Sequence, residues 1–472
     1  MNHFASSSAL VAAAFALLAP PSAAQVGTWK VVPLLPTTAN LKSPTCMAVA
    51  KDGRFFITER TTGRIRIYDW KNRTLLATPF ASVTGTNSSG ERGLLGIALD
   101  PAFPTTPHVY AYQTYRSGTV TYGRILRFTA RGNVAVAVST ILDKLPTSTN
   151  HNGGVLAFGP DGKLYFPIGD TRVPKTSQNK SATVWAGKMH RINKDGTIPS
   201  DNPFGSANPQ FALGIRNAFG LAFHPLDRRL YEVENGPTTN DEVQILRPGG
   251  NYGWPVELGN QNKPGYDKPI YTWTPCIAPC GTAFSRSNVY PSTWLHSLWV
   301  CDYVFGKIRI LRFSGQWHDK VRSETILPAA TYPTDIKQGP DGKMYFCSMY
   351  RGQIYRIDWT GTAPVLPEFL VTGPMMIGTR NWLHLRARPR SVMVVITGTP
   401  LSPPRNTPWG ILRTNPLLVF GAGVCDENGV SSFLMPIPSV ASLKGIRFRL
   451  QGGEITPSFT IRLANAVDLV IL

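Results

Sequence analysis

His151 and Asp170 stand at the two ends of one short segment and carry side chains suited to proton transfer. An imidazole titrates near neutral pH, so it can accept a proton from a substrate, and a carboxylate is a suitable partner for it. The segment reads NHNGGVLAFGPDGKLYFPIGD over residues 150–170. Gly153 and Gly154 add little bulk beside the backbone and leave room for a flat ligand. The sequence therefore predicts a base and its acidic partner at the edge of a pocket.

The residues between this histidine and this aspartate have the pattern of a strand, a turn and a second strand. Pro160, Asp161 and Gly162 form a turn sequence, because proline and glycine each favour a backbone conformation that turns require. An alternating stretch from Leu164 to Phe166 follows the turn as a strand. The base and its partner are thus predicted at the two ends of one hairpin.

This unit recurs along the chain, which indicates a repeat architecture. Three copies are clear and three are degenerate; they cover residues 50–68, 100–128, 159–192, 224–246, 299–313 and 339–357. A unit of this size cannot bury its own sheet, and six copies in about 330 residues give roughly 55 residues per copy. The sequence predicts an all-β chain in which residues 40–359 form a six-bladed β-propeller. An array of β-sandwiches is the alternative.

The repeat ends near Trp359, and the texture of the sequence changes after it. Residues 360–364 read TGTAP, a linker sequence, and short strand-like stretches separated by glycine and proline follow. We expect residues 365–472 to form a small C-terminal β-sandwich. This part contains no reactive cluster, and attachment, carbohydrate binding and export all remain open as its role.

The first residues have the features of a secretory signal. An apolar run covers residues 9–19, two prolines follow it, and the small residues Ser22, Ala23 and Ala24 end the segment. We expect residues 1–24 to be a cleaved signal peptide and the protein to be secreted or periplasmic, with an uncleaved anchor as the alternative. No other apolar run approaches 18 residues, so no transmembrane segment is predicted.

Composition and charge narrow the class of partner. The chain has 43 glycines and 40 prolines but only 16% charged residues, which is typical of a turn-rich β protein. The formal net charge is +20, but the basic residues alternate along strands, as in Arg64-Ile65-Arg66, and accompany no nucleic-acid-binding motif. The sequence therefore argues against nucleic acid and favours contact with acidic polysaccharide or an anionic cell envelope.

The six cysteines fit an oxidising compartment without fixing a pairing. Cys276 and Cys280 are placed to close the loop CIAPC, whereas the other four lie in or beside apolar segments. Disulfide formation and buried thiols both remain open. A zinc site has little support, because no second Cys/His pair has a suitable spacing.

Several polar motifs lie between the strands. They are ERGLLG from Glu91, HNGG from His151, GIRN from Gly214 and ENGPTTNDE from Glu234, which leads to NYGWP from Asn251. A propeller brings loops from different blades together at one end of its central channel. We therefore expect these motifs to converge.

In this order, and together with FGPDGKLYFPIGD, the motifs resemble those of the soluble quinoprotein glucose dehydrogenases. This family is also described as glucose/sorbosone or PQQ-dependent aldose sugar dehydrogenases, where PQQ is pyrroloquinoline quinone. The resemblance covers about residues 40–358. It implies a six-bladed propeller that binds PQQ and calcium and oxidises an aldose sugar or a related alcohol, with hydride passing to the quinone. The electron acceptor stays open.

The resemblance also implies a role for each matching residue. His151 matches the base that takes the proton of the sugar hydroxyl, and Asp170 matches the carboxylate that orients this base. Arg216 matches the arginine at the quinone oxygens, where it would stabilise developing negative charge, and Asn217 matches its neighbour in the cofactor pocket.

The same resemblance implies two calcium sites. Gly236 and Pro237 match the pair whose backbone carbonyls hold the cofactor-bound calcium, an ion that prefers oxygen ligands. Glu242 and Tyr252 match a carboxylate and a main-chain carbonyl that bind a second, structural calcium.

The chain departs from the family pattern at three places. Arg92 replaces a glutamine that usually follows the glutamate of the first motif. An R-x-R pair that grips cofactor carboxylates is absent from residues 332–336, and a lysine is absent from residues 301–304. Each lost cation removes a charge-assisted hydrogen bond of about 1.5–3 kcal/mol, so the sequence predicts weaker PQQ binding. Arg92 is the candidate replacement for one of these cations.

Other interpretations remain open at this point. His151 also suits a hydrogen-bonded turn, Asp170 a turn cap, and Arg216 a structural arginine bonded to backbone carbonyls. For the whole chain, the alternative is a non-enzymatic, calcium-stabilised propeller that binds glycan or protein partners. A calcium-dependent hydrolase of the lactonase type has less support, because the channel motifs supply few carboxylates for a catalytic metal.

Overall fold

The computed structural model describes residues 28–36, 38–287, 289–291, 294–314, 319–329 and 332–361. Beyond these it describes the strand residues 368–372, 380–386, 392–407, 410–424, 430–436, 447–455 and 461–470. The expected signal peptide, residues 1–24, lies outside the described residues.

Residues 29–286 and 296–359 form one compact unit built from strands. In chain order the strands are β1 (Trp29–Pro33), β2 (Pro44–Val49), β3 (Arg54–Glu59), β4 (Arg64–Asp69), β5 (Thr74–Leu75), β6 (Ala81–Ser82), β7 (Leu94–Leu99), β8 (His108–Ser117), β9 (Val120–Arg131), β10 (Val134–Leu145), β11 (Ala157–Phe158), β12 (Leu164–Ile168), β13 (Lys188–Ile192), β14 (Gln210–Leu213), β15 (Ala218–Phe223), β16 (Leu230–Glu234), β17 (Asp241–Leu246), β18 (Tyr271–Trp273), β19 (Pro279–Phe284), β20 (Leu298–Asp302), β21 (Lys307–Ser314), β22 (Lys320–Pro328), β23 (Pro333–Gln338), β24 (Met344–Ser348) and β25 (Gln353–Trp359). A short 3-10 helix, Pro174–Gln178, lies between β12 and β13.

These strands pair into six antiparallel sheets in the order of the chain. Named from the inner strand outward, the sheets are β2-β3-β4-β5 with β6 also on β4, β7-β8-β9-β10, β11-β12-β13-β14, β15-β16-β17-β18, β19-β20-β21-β22 and β23-β24-β25-β1. Each inner strand packs against the inner strands of the neighbouring sheets or their flanks, which gives a ring around a central channel. The prediction of a six-bladed β-propeller is confirmed.

The three clear copies of the repeat share one turn geometry between the first two strands of a sheet. The glycine of the Asp-Gly pair has a left-handed backbone, with φ of +97°, +73° and +77° in the three copies. The aspartate before it accepts a hydrogen bond from the N–H two residues further on. The pairs are Asp52 to Arg54, Asp161 to Lys163 and Asp341 to Lys343, at 3.1–3.2 Å.

The ring closes between the sixth and the first sheet. The first strand of the unit, β1, adds to the outer edge of the sixth sheet by pairing with β25, so that Trp29 lies opposite Trp359. At the inner edge, the Met47 N–H donates to Asp335 Oδ2 at 2.7 Å and Thr334 Oγ1 donates to the Pro44 carbonyl at 3.0 Å. The repeat pattern does not include β1, because this strand has no Asp-Gly turn of its own.

The hydrophobic core lies between neighbouring sheets. Between the first and the second sheet, Phe56 is fully buried and contacts Phe80 and Phe103 edge to face, with ring centroids 5.1 Å and 5.6 Å apart. Aromatic pairs in this arrangement gain free energy beyond the burial of their area. Similar clusters join the other neighbouring sheets.

The part of the chain after residue 361 forms a separate unit with two described sheets. One contains β26 (Glu368–Thr372), β27 (Arg380–Arg386) and β30 (Val430–Pro436), and the other contains β28 (Val392–Thr407), β29 (Gly410–Val424), β31 (Arg447–Ile455) and β32 (Ile461–Val470). The region is rich in strands, and its arrangement as a β-sandwich stays a prediction.

Five cysteines in the described residues are free thiols, including Cys276 and Cys280. The pairing that would close the CIAPC loop is therefore not formed in this structure. Cys425 lies outside the described residues. Within the described residues, no helix has both the length and the apolar character needed to cross a membrane.

Replacing Phe56 by alanine should lower the free energy of unfolding by about 3–5 kcal/mol, because it empties a fully buried aromatic site between two sheets. Denaturant titration followed by tryptophan fluorescence measures the change. Val138→Ala is the control: Val138 is 59% exposed on the outer strand β10, so its loss should change stability by no more than about 0.5 kcal/mol. Equal effects of the two changes would contradict this packing.

Candidate functional site

The third sheet brings the predicted base and its partner together. His151 precedes β11 and Asp170 follows β12. Because these two strands pair antiparallel, the start of β11 and the end of β12 lie at the same edge of the sheet. His151 Nδ1 lies 2.7 Å from Asp170 Oδ1. A Cβ at Gly153 would lie 2.6 Å from the Pro167 carbonyl oxygen, so a glycine lets the two ends approach. The space at this glycine, predicted for a ligand, is therefore occupied on that side by backbone.

Asp170 is fully buried and held by four partners. Besides His151, the Arg172 N–H donates to Oδ1 at 2.7 Å and Trp254 Nε1 donates to Oδ2 at 2.8 Å. Its own N–H donates to the Arg216 carbonyl at 2.8 Å. Burial opposes ionisation, but the hydrogen bonds from His151, Arg172 and Trp254 outweigh it and lower the pKa of Asp170. The aspartate caps its turn and orients the histidine at the same time.

His151 has a left-handed backbone, with φ of +59°, which is uncommon for a residue other than glycine. Its N–H donates to Glu91 Oε2 at 2.6 Å, which holds this conformation. The imidazole side chain is 18% exposed. Because Asp170 occupies Nδ1, the other ring nitrogen, Nε2, is the one without a hydrogen bond in the described part of the chain. His151 therefore presents one nitrogen to a ligand and keeps the other for Asp170.

Arg216 and Asn217 lie beside this pair, on the segment between the third and the fourth sheet. Arg216 is half-buried, its guanidinium lies 5.3 Å from the Trp254 ring centroid, and one of its terminal nitrogens donates to the Asn235 carbonyl at 2.7 Å. Its Nε is buried and has no hydrogen-bond partner among the described residues. The buried Asn217 amide donates to Glu91 Oε2 at 3.3 Å. Arg216 thus makes a structural bond and keeps donors for a ligand.

Glu91 and Trp254 are two residues of the site whose role was not predicted from the sequence. Glu91 contacts both His151 and Asn217, and it also accepts a hydrogen bond from the Asn150 amide at 3.1 Å. Trp254 bonds Asp170 and lies against Arg216. Both residues belong to motifs that the sequence shows, so the motifs marked them as candidates. Their partners could not be predicted, because these partners lie on other sheets.

Arg92 is half-buried, and part of its guanidinium bonds the protein. Its Nε donates to the Ser148 carbonyl at 2.8 Å. A neighbouring arginine, Arg60, donates to the carbonyls of Ser88, Gly90 and Arg92 at 3.0, 2.6 and 3.0 Å and so fixes the loop that carries Glu91. Sequence reasoning did not find Arg60.

A cavity of about 380 Å³ occupies this end of the central channel. One residue on or beside each inner strand lines it: Thr45, Leu95, Val155, Phe219, Cys280 and Asp335. Its mouth is formed by residues that follow a second strand or precede a first strand, among them Arg60, Glu91, Asn235 and Tyr303. Glu91 bonds His151, and Asn235 bonds Arg216, so the base and the arginine stand at the same mouth.

The four predicted calcium ligands come together in a smaller pocket beside this mouth. Gly236, Pro237, Glu242 and Tyr252 all line it, next to Arg216. Glu242 Oε1 accepts a hydrogen bond from the Gly259 N–H at 2.7 Å, and Oε2 accepts one from the Gln244 amide. The structure therefore places both members of each predicted pair in one location.

Buried carboxylates surround Glu242. Glu232 and Glu234 lie on β16, on the face shared with Glu242 of β17, and Glu257 lines the same pocket. Burial, and after it the charge of neighbouring carboxylates, raises the pKa of Glu232 and Glu234. Both oxygens of Glu232 and Oε1 of Glu257 are buried without a hydrogen-bond partner among the described residues. Such unpartnered carboxylates fit a bound cation.

The predicted calcium ligands include main-chain carbonyls, which a search for ligating side chains does not count. No group of three or more His, Cys, Asp or Glu side chains in the described part of the chain is arranged as metal ligands. Calcium therefore stays a prediction.

Tyrosines stand in the two segments that lack the cations of the family pattern. Tyr303 stands in the segment without the lysine, and Tyr332 begins the segment without the R-x-R pair. Asp335 in that segment is buried and contacts Lys337 Nζ at 2.5 Å. The mouth thus has Arg216 on the side of His151, and Tyr303 together with Arg60 elsewhere on its rim.

At one mouth of its channel, the propeller has a histidine held by a carboxylate, an arginine with free donors and a pocket lined by carboxylates. This arrangement is that of a propeller enzyme that removes a proton from a bound ligand. Comparison with known families agrees with this class. The chain belongs to the glucose/sorbosone dehydrogenase family, whose model matches residues 41–356. The prediction of a quinoprotein sugar dehydrogenase is confirmed at the level of the family.

Individual relatives are similar over most of the propeller. Aldose sugar dehydrogenase YliI of Escherichia coli K12 is 28% identical over 330 residues, 65% of this chain and 86% of the relative. Quinoprotein glucose dehydrogenase B of Acinetobacter calcoaceticus is 31% identical over 261 residues, 50% of this chain and 54% of the relative. The PQQ-bound aldose sugar dehydrogenase from Streptomyces coelicolor superimposes with a TM-score of 0.61 at 28% identity, covering 72% of this chain and 100% of that structure.

Replacing Asp170 by asparagine should destabilise the protein by about 1.5–3 kcal/mol at pH 7, because hydrogen bonds to a charged acceptor are lost. The pKa of Asp170 is lowered in the folded state, so its ionised form stabilises the fold above the ordinary value of 3.8, and this contribution disappears as the pH falls through the folded value. Denaturant unfolding of both proteins at pH 7 and pH 3 measures the difference. An equal difference at the two pH values would contradict an ionised Asp170.

Proposed function

We propose that this protein is an exported dehydrogenase that uses PQQ and calcium to oxidise an aldose sugar or a related alcohol. The observation that carries the proposal is the histidine at the mouth of the channel, with Nδ1 held by buried Asp170 and Nε2 unbonded within the described residues. Membership of the family and the printed activities of its relatives support it. The apolar segment at residues 9–19 supports export.

The residues at the mouth fit a flat, anionic ligand such as PQQ. Arg216 and Arg60 each have a buried Nε without a partner among the described residues, so each has a donor for an acceptor oxygen. Asn217 has a buried amide oxygen that is also unpartnered there. Arg216, Asn217 and Arg92 are the residues that would hold the cofactor. Because residues 301–304 and 332–336 lack the cations of the family pattern, the affinity should be weaker than with a full set of cations.

The chain's own residues supply the acid–base part of the reaction. Oxidation of a sugar hydroxyl removes a hydride from carbon and a proton from oxygen, and bound PQQ supplies the two-electron acceptor for the hydride. His151 Nε2 is placed to take the proton, since Nδ1 is already engaged with Asp170. The imidazolium that results lies 2.7 Å from the ionised Asp170 carboxylate, which stabilises its charge.

Replacing His151 by glutamine should lower turnover by about 10²- to 10⁴-fold while PQQ binding stays close to native, because the base is lost and the arginine side of the mouth is kept. Absorbance titration with PQQ in the presence of calcium measures binding, and dye-linked oxidation of glucose and other aldoses measures turnover. His108→Gln is the matched control, because His108 begins β8 in the second sheet and does not line the mouth.

Two results would contradict this account. A folded native protein that binds no PQQ at micromolar concentration would reject the quinone-dependent dehydrogenase and favour the non-enzymatic glycan- or protein-binding alternative. Unchanged turnover in His151→Gln would reject this residue as the base.

Replacing Glu242 by glutamine should remove the stabilisation by calcium. Burial raises the pKa of Glu242 against the hydrogen bonds from Gly259 and Gln244, and repulsion from Glu257 and Asp241 adds to the rise, so the neutral variant should be at least as stable as the native chain in chelator. With calcium at about 100 times its dissociation constant, the native chain should gain about 2.7 kcal/mol. Thermal unfolding with calcium and with chelator measures this, with Glu324→Gln on β22 as the control. The predicted site would be contradicted if calcium left the unfolding temperature of the native protein unchanged. It would also be contradicted if calcium raised the unfolding temperature of the variant as much as that of the native chain.

A further inference from the structure

Trp254 contacts two groups on which the proposed reaction depends. Its indole Nε1 donates to Asp170 Oδ2 at 2.8 Å, and its ring centroid lies 5.3 Å from the guanidinium carbon of Arg216. Asp170 orients the base, and Arg216 is one of the residues expected to hold the cofactor. The place of one indole ring therefore affects both sides of the reaction.

The indole determines the plane of the Asp170 carboxylate. His151 Nδ1 and the Arg172 N–H both contact Oδ1, whereas Trp254 donates to Oδ2. Without the Trp254 bond, Oδ2 would be a buried carboxylate oxygen with no partner among the described residues, and the carboxylate would be free to rotate about its Cβ–Cγ bond. Such a rotation moves the acceptor that holds His151, and with it the direction of His151 Nε2.

Gln178 holds the backbone of Trp254 from outside the loop. Its Nε2 donates to the Trp254 carbonyl at 2.7 Å and to Asn251 Oδ1 at 3.1 Å. In return, Asn251 Nδ2 donates to Gln178 Oε1 at 2.8 Å. The two amide side chains thus bond each other in both directions, and the remaining donor of Gln178 is directed to the residue that carries the indole.

Gln178 has a fixed place beside the segment between the third and the fourth sheet. It is the last residue of the 3-10 helix Pro174–Gln178. The residue before it, Ser177, is buried, and its Oγ donates to the Ile215 carbonyl at 3.0 Å. The Ser177 carbonyl accepts the Gly214 N–H at 2.9 Å. The helix therefore supplies Gln178 as a fixed support for the loop opposite it.

Other bonds attach the same loop without Gln178. The Tyr252 N–H donates to a carbonyl of β14 at 2.9 Å, and the Asn251 N–H donates to Asp267 Oδ2 at 2.9 Å. The Trp254 N–H donates to a carbonyl of the neighbouring segment at 3.1 Å. Loss of the Gln178 amide should therefore displace the indole and leave the loop attached to the sheet.

We propose that Gln178 is a positioning residue that acts on the base through Trp254. Its bond to the Trp254 carbonyl places the indole N–H on Asp170 Oδ2. The carboxylate, held in its plane by three bonds, then directs His151 Nε2 toward the substrate hydroxyl. This inference rests on the proposed function, because it gives Gln178 a part in proton removal by His151.

The test compares Gln178→Met with Gln353→Met in the full chain loaded with saturating PQQ and calcium. Methionine keeps the length of the side chain and removes the amide. Gln178→Met should lower kcat for glucose about tenfold and leave KM within about twofold, because the base is misdirected while substrate binding is kept. Gln353 is the matched control: it is also half-buried, bonds the N–H and the carbonyl of Leu35 at 2.8 and 2.9 Å, and does not line the channel cavity. Its replacement should leave kcat within about twofold.

Further variants show whether the effect passes through the indole N–H. Trp254→Phe keeps a ring beside Arg216 and removes the N–H, so it should lower kcat by a similar factor. In the Trp254→Phe background, Gln178→Met should lower kcat by less than about twofold more, because the two changes break one path. Gln178→Glu keeps the acceptor for Asn251 and loses the donor to Trp254, so it should behave as Gln178→Met does.

Titration of Asp170 without PQQ separates failure of this inference from failure of the proposed function. Burial raises the pKa of Asp170, and its hydrogen bonds, that from Trp254 among them, outweigh burial and lower the pKa. Trp254→Phe and Gln178→Met should both raise this pKa, and Gln353→Met should leave it unchanged. NMR of protein with ¹³C-labelled aspartate carboxyl groups measures it. If no sugar is oxidised but the pKa rises in both variants, the effect of Gln178 on Asp170 stands and the dehydrogenase proposal fails.

Three results would overturn the inference. The first is that Gln178→Met and Gln178→Glu lower kcat no more than Gln353→Met does. The second is a pKa of Asp170 that keeps its native value in Gln178→Met or in Trp254→Phe. The third is a double variant in which the two effects on kcat multiply in full, which would make Gln178 a residue that stabilises the site independently of Trp254.

Discussion

Asp335 joins the sixth inner strand to the first, where the ring of sheets closes. Its carboxylate accepts the Met47 N–H of the first inner strand, at 2.7 Å, while the residue itself belongs to the sixth inner strand. Lys337 compensates its charge: burial disfavours the ammonium, but the adjacent Asp335 carboxylate raises the pKa of Lys337 above its ordinary value. The convergence of loops at the mouth requires a closed ring, and this contact closes it together with the pairing of β1 with β25.

One loop connects the separate parts of the site. Asn251 to Leu258 carries Trp254, which bonds Asp170 and lies against Arg216, and it also carries Tyr252 and Glu257, which line the carboxylate pocket. The orientation of the base and the geometry of the predicted cation site therefore depend on the same stretch of backbone. A shift of this loop at one of the two places should therefore also displace the residues at the other, without a rearrangement of the sheets.

The parts of the structure that the sequence predicted are those governed by local rules. The sheets could be predicted from the Asp-Gly turns, because each turn is determined by its own few residues. The contact of His151 with Asp170 could be predicted because one hairpin joins the two residues. The pairing of β1 with β25, the role of Glu91 and the contact between Tyr303 and Tyr332 were not predicted from the sequence. Each of these joins segments that are distant in sequence and share no spacing, and only the closed ring brings them together.

The two unlike sides of the mouth have a consequence for how a ligand enters. Arg216 lies beside the base, and Tyr303 and Arg60 line another part of the rim, so an elongated ligand would meet different groups at its two ends. The channel cavity of about 380 Å³ is lined by residues on or beside all six inner strands, so a ligand in it is held by the whole ring and not by one sheet.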